Sequence, residues 1–134
     1  MAYDAPVPTD DGPELDTIAA SLRADTGDLK LFVELLARKL ADAFPGRVEL
    51  QRKGLPGRGR PVRQLALTLG ETRFELTNDG GTVTARRRRL VRGVALATEE
   101  LPLDRWLDEL AAALLAEAER SEQDRLALER LLAG

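Results

Sequence analysis

The chain of 134 residues contains neither cysteine nor histidine. The first absence excludes disulfides, thiolate metal sites and nucleophilic thiols together. The second removes the commonest metal ligand and the only side chain whose unperturbed charge changes near neutral pH. Aromatic residues make up only 4% of the chain, so the core must be built from Leu, Val and Ala. Long apolar runs are missing too. The longest apolar-rich stretch, LAAALLAEA, is too short to span a bilayer, so no membrane insertion is expected. The start, MAYDAPVPTDDGPELD, is acidic and has no basic segment followed by an apolar one, so it does not read as a signal peptide. A cytoplasmic protein is the expectation.

With histidine and cysteine absent, acid–base work would fall to carboxylates, lysines or Tyr3, and nucleophilic work to Ser21, Ser121 or threonines. None of these has a recognisable catalytic setting. Asp108 and Glu109, like Glu99 and Glu100, are adjacent in sequence, as on a solvated face. The glycines of GLPGRG lack the following Lys-Ser/Thr of a phosphate loop, and a strand rather than a helix follows them. No EF-hand spacing occurs. The expectation is a protein that is not an enzyme, with no catalytic residue, no metal site and no cofactor.

Length and composition suit one domain: 43% apolar and 32% charged residues are close to globular averages. Residues 1–13, rich in Pro and Asp, read as a disordered tail, and residues 14–134 as a single α+β domain. ELDTIAASLRA predicts a short helix over 14–24. A second helix puts Leu29, Phe32, Leu36, Leu40 and Phe44 on one stripe and stops at Pro45-Gly46. From residue 47 the apolar period changes from helical to alternating, which predicts strands. Their inward residues are Val48 and Leu50, then Leu65, Leu67 and Leu69, then Phe74 and Leu76. Gly70-Glu71 and Asp79-Gly80-Gly81 are tight turns between antiparallel strands. The fourth strand, running from about 82 to 100, breaks the alternation. Strict pleating with Val83 and Ala85 inward would bury Arg87 and Arg89, so a β-bulge or break within 86–89 is expected, turning Leu90, Val94 and Leu96 inward. The last helix starts near Pro102, with Asp104 as its expected N-cap, and carries Trp106, Leu107, Leu110, Ala113 and Leu114. A further stripe, Leu126, Leu128, Leu131 and Leu132, follows a wholly polar stretch, where the helix either runs on exposed or breaks near Ser121. The predicted fold is thus α+β in the order α-α-β-β-β-β-α, with one antiparallel four-stranded sheet and helices on one face.

Charge is segregated. Residues 1–46 hold 4 basic and 9 acidic groups, residues 47–94 hold 12 and 4, and residues 95–134 hold 4 and 10. A net charge of −3 conceals a basic sheet between acidic helices. Of the basic residues 17 are Arg and three are Lys, and Ala is abundant. In this texture, and in general pattern over 28–118, the chain resembles the uncharacterised small α+β proteins of high-GC actinobacteria, a resemblance that implies no activity. Its element order resembles two small dimeric groups, the YbaB-type nucleoid-associated proteins and the type III secretion chaperones, although the latter place a helix between strands where this chain has none. The tetrad Arg58-Gly59-Arg60-Pro61 resembles the core of an AT-hook, which lies along a narrow minor groove.

Two functional readings follow. In the first, the sheet's arginines pair with Glu49, Glu75, Glu99 and Glu100, and the protein is a non-enzymatic interaction module, an adaptor or chaperone-like homodimer. Its partner is a second copy or another protein, met through Leu126, Leu128, Leu131 and Leu132. In the alternative, Arg52, Lys53, Arg58, Arg60 and Arg63, with Arg86, Arg87, Arg88, Arg89 and Arg92, bind the backbone or minor groove of DNA.

Overall fold

A computed structural model of the chain describes residues 14–23, 27–52 and 61–133. The tail expected over 1–13 lies outside the described residues. Helix α1 (Leu15–Arg23) turns Ile18, Ala19 and Leu22 to the core. Helix α2 (Leu29–Ala43) begins where Asp28 accepts a hydrogen bond from the Leu31 N–H (3.2 Å), a side-chain cap for an otherwise orphaned donor. It ends at Phe44, before Gly46 takes the left-handed φ of 89° that reverses the chain.

Strands β1 (Val48–Arg52), β2 (Val62–Leu69), β3 (Thr72–Asp79), β4 (Thr82–Val91) and β5 (Val94–Leu101) form one antiparallel meander in sequence order. The class is α+β as expected, but the sheet has five strands rather than four. The long fourth strand is in fact a hairpin. Arg92 (φ 53°) and Gly93 (φ 81°) both adopt left-handed backbone, as the two central residues of a type I′ hairpin turn do.

The bulge expected within 86–89 is absent. Pairing of β3 with β4 runs unbroken from Thr72 opposite Arg89 to Asp79 opposite Thr82. Arg87 does face the helices, yet escapes an unpaired burial because its guanidinium reaches Glu99 on β5 and Glu109 on the helix above. Two irregularities lie elsewhere. Arg89 opposes Ala97 while Leu90 opposes Ala95, so Leu96 is the extra residue, on β5. Gln51 opposes Gln64 while Arg52 opposes Val62, so Arg63 is skipped. That second slip turns Val62 into the core, where its N–H donates to Glu34 of α2 at 2.8 Å.

Helix α3 (Leu103–Arg120) follows Pro102, which holds the N-cap position without a side-chain bond; Asp104 sits two residues further in, within the first turn, and is not the cap. Its Trp106 is fully buried in the core. The ring meets Phe74 edge-on at 5.9 Å, and the indole N–H donates to the Arg86 carbonyl at 3.0 Å, so no polar atom of the ring is left unpaired.

The chain breaks at Ser121, whose hydroxyl accepts from the Asp124 N–H (3.3 Å), and α4 (Glu122–Ala133) folds back. Leu128 and Leu131 are buried, beside Ala127, in the same cluster as Phe32 and Leu36 of α2. Asp124, itself buried, pairs with Arg47 at 2.9 Å and ties α4 to the end of α2. Among the described residues no helix is long and apolar enough to cross a membrane.

Candidate interaction surface

The helices cover the face that carries Leu65, Leu67, Leu69, Phe74 and Leu76, all buried. Since successive side chains alternate across a strand, the opposite face carries Glu49, Gln64, Ala66, Thr68, Arg73, Glu75, Thr77, Arg86, Arg88 and Glu100. On this open face Glu75 is only 4% exposed. Its neighbour on β2 is Ala66, too small to reach over it, and two arginines close around it instead. The Arg73 Nε donates to one carboxylate oxygen at 2.7 Å, and the Arg88 Nε to the other at 2.9 Å. Arg73 reaches on to Glu49. Burial pushes the Glu75 carboxyl up, but these hydrogen bonds and the two positive charges outweigh it and hold the group below its ordinary pKa. For Arg73, burial works against the charged form, and the bonds to Glu75 and Glu49 raise its pKa all the same.

The ladder Glu49–Arg73–Glu75–Arg88 therefore neutralises the middle of the open face. Arg86 lies 3.6 Å from Glu100, and Arg87 pairs with Glu99 and Glu109. The four carboxylates expected across the strands are the ones found. Acidic helices contribute as well: Arg52 is 3.7 Å from Glu34, and Arg47 meets Asp124. Much of the basic charge of the sheet is thus answered inside the fold.

Of the basic residues picked out for nucleic acid, Lys53, Arg58 and Arg60 lie outside the described residues. Arg63, Arg89 and Arg92 make no ion pair among the described residues. They are not together. Arg63 borders the row of Gln64, whereas Arg89 shares the row of Thr72 and Leu69, six residues further along β2, or roughly 20 Å at 3.3 Å per residue. The row of Arg52 and Val62 and the row of Arg89 therefore lie at opposite ends of the sheet rather than on one surface. An open cleft of about 270 Å³ lined by Glu71, Thr72, Arg87, Arg88 and Arg89 is confined to the second end.

The expected leucine interface is corrected similarly. Leu128 and Leu131 are buried and Leu132 is partly buried, because the break at Ser121 returns α4 to the core; Leu126 alone is exposed. Exposed apolar surface collects instead on the β4–β5 hairpin. Beyond Leu90, whose N–H donates to the Glu71 carbonyl, β4 has outrun β3. Val91, Val94 (60% exposed) and Leu96 (65%) account for three of the six exposed large apolar side chains among the described residues. The other three, Leu15, Leu31 and Leu126, are scattered over α1, α2 and α4. Residues 94 to 100 are exposed throughout, and β5 is the last strand of the sheet, so one row of its backbone groups has no strand beside it.

The signal for this surface was present in the sequence as Val91-Arg92-Gly93-Val94, a two-residue turn with apolar flanks and Gly at its second position. No protein-family model, curated protein or solved structure matches the chain.

Proposed function

We propose that the protein is a non-enzymatic interaction module whose contact element is the β4–β5 hairpin, with β5 taking up an extended strand of a partner protein. The observation that supports this reading is the gathering of exposed apolar side chains on one unpartnered sheet edge. Edge strands in natural proteins are commonly guarded by charges, proline or bulges; β5 has a bulge at Leu96 and charges at Glu99 and Glu100, but its stretch from 94 to 97 carries neither charge nor proline. Strand addition would supply main-chain hydrogen bonds along the edge and contacts for Val94 and Leu96. Arg86, Arg87 and Arg88 on β4 are already bound to carboxylates, which favours a protein partner over a polyanion there.

Selection of short displayed peptides against the purified protein tests the reading. Extended sequences with alternating β-branched residues are expected to be enriched. Their binding is expected to be lost in Leu96→Lys, which places a charge on the edge, and kept in Leu126→Lys, which alters an exposed leucine on α4. An absence of enriched peptides, or equal binding by Leu96→Lys, contradicts it. The nucleic-acid reading draws on Arg63, Arg89 and Arg92. It would be favoured by a duplex gel shift at about 50 mM salt that weakens steeply with added salt and with Arg89→Ala and Arg92→Ala.

A further inference from the structure

Resting on the reading of β5 as a contact edge, we infer that its occupant is a second copy of the chain, paired antiparallel so that two sheets join into one of ten strands. The charge pattern carries this. The hairpin has Arg92 at its tip, an apolar stretch over 94–97, and then, at the other end of β5, Glu99, held by Arg87, and Glu100, which meets Arg86 at 3.6 Å but keeps most of its side chain exposed. A strand that complements this edge must run from basic to acidic in the opposite direction. An antiparallel copy of the same hairpin does so twice, by symmetry, whereas a parallel copy would set like charges together.

The register follows from the faces. Val94 opposes Val91 and Ala97 opposes Arg89, so both point to the helix side, as does Glu99 opposite Arg87. Ala95, Thr98 and Glu100 point to the open side, the extra residue Leu96 having absorbed the change of parity. About a two-fold axis perpendicular to the sheet, side chains keep their faces when Ala97 lies opposite Ala97. Ala95 then opposes Thr98, Val94 opposes Glu99, and Gly93 opposes Glu100. Alanine on the axis lets the strands close, Leu96 of each copy flanks the alanine pair, and Arg92 of each copy stands beside Glu100 of the other. The edge would be covered and its exposed apolar residues shared between copies.

Charge exchange tests the arrangement. Sedimentation velocity over a micromolar concentration series is expected to show a reversible dimer. Arg92→Glu alone, or Glu100→Arg alone, is expected to weaken it about tenfold, because each sets two like-charge pairs across the axis. An equimolar mixture of the two variants, and the double variant R92E/E100R, are expected to recover the wild-type association, since opposite charges meet again. Glu100→Arg also loses the exposed contact with Arg86, so a thermal melt of each variant separates loss of folding from loss of pairing. A wild type that stays monomeric, or a dimer indifferent to the exchanges, overturns self-pairing. If the wild type is monomeric while selected peptides still depend on Leu96, only the identity of the occupant falls; if peptide binding fails as well, the contact-edge reading falls with it.

Discussion

Replacing Glu75 with alanine should be among the most costly single changes outside the apolar core. The carboxylate is 4% exposed and accepts a charge-assisted hydrogen bond on each oxygen, from Arg73 and from Arg88. Bonds of this type contribute about 1.5–3 kcal/mol each. Both arginines keep some contact with water, and Arg73 retains Glu49, so the sum belongs near the lower end. We expect Glu75→Ala to cost about 3 kcal/mol, which in a domain of this size lowers Tm by roughly 10 °C. Glu75→Gln preserves shape and one acceptor oxygen and should cost about half as much. Glu49→Ala removes the well-exposed end of the ladder and should cost less than about 1 kcal/mol. Urea denaturation followed by the fluorescence of Trp106 measures all three, because this single tryptophan is buried against Phe74, on the strand that carries Glu75. If Glu75→Ala costs no more than Glu49→Ala, the ladder does not hold the open face as described.

The same carboxylate sets an acid dependence. Its pKa in the folded protein lies below the ordinary 4.5, so the stabilisation is fully present above that value. It is lost progressively as pH falls from 4.5 through the folded pKa, and urea midpoints between pH 6 and about 3 should fall less steeply in Glu75→Gln than in the wild type. Glu122, lowered by its hydrogen bond from Arg125, leaves a residual slope in the variant. On α4, Leu128→Glu places a carboxylate in a fully buried position and should cost about 4 kcal/mol or more, whereas Leu126→Glu should be within about 0.5 kcal/mol of neutral. Circular dichroism melts of the two distinguish a packed α4 from a projecting one.

Helices and the first strands were legible because their periods are clean. Leu65, Leu67 and Leu69 on β2, and Phe74 and Leu76 on β3, alternate as a half-covered sheet requires, and Phe32, Leu36 and Leu40 fall on one helical stripe. The arginine run obscured the rest. Arg87 faces the helices in strict register, but its long side chain carries the charge out to Glu99 and Glu109, so pattern alone suggested a bulge where none was needed. With that bulge assumed, one strand ran from about 82 to 100 and no turn was placed at Arg92-Gly93. The return of α4 was written as Ser121-Glu122-Gln123-Asp124, a helix-start signature, but no Gly or Pro reinforced it, and leucines that pack on α2 looked unpartnered. The burial of Glu75 had no local signal. It depends on Arg88, thirteen residues away, lying over the same face, and on an alanine beside it on β2.

The central claim, that β5 is a contact edge filled by a second copy of the chain, can be read amide by amide. Hydrogen exchange over residues 94–100 should be fast in dilute protein and slow markedly as concentration is raised through the association range, while exchange in β2 and β3 stays unchanged. Exchange over 94–100 that is independent of concentration, with slowing instead at α4 or nowhere, would contradict the account.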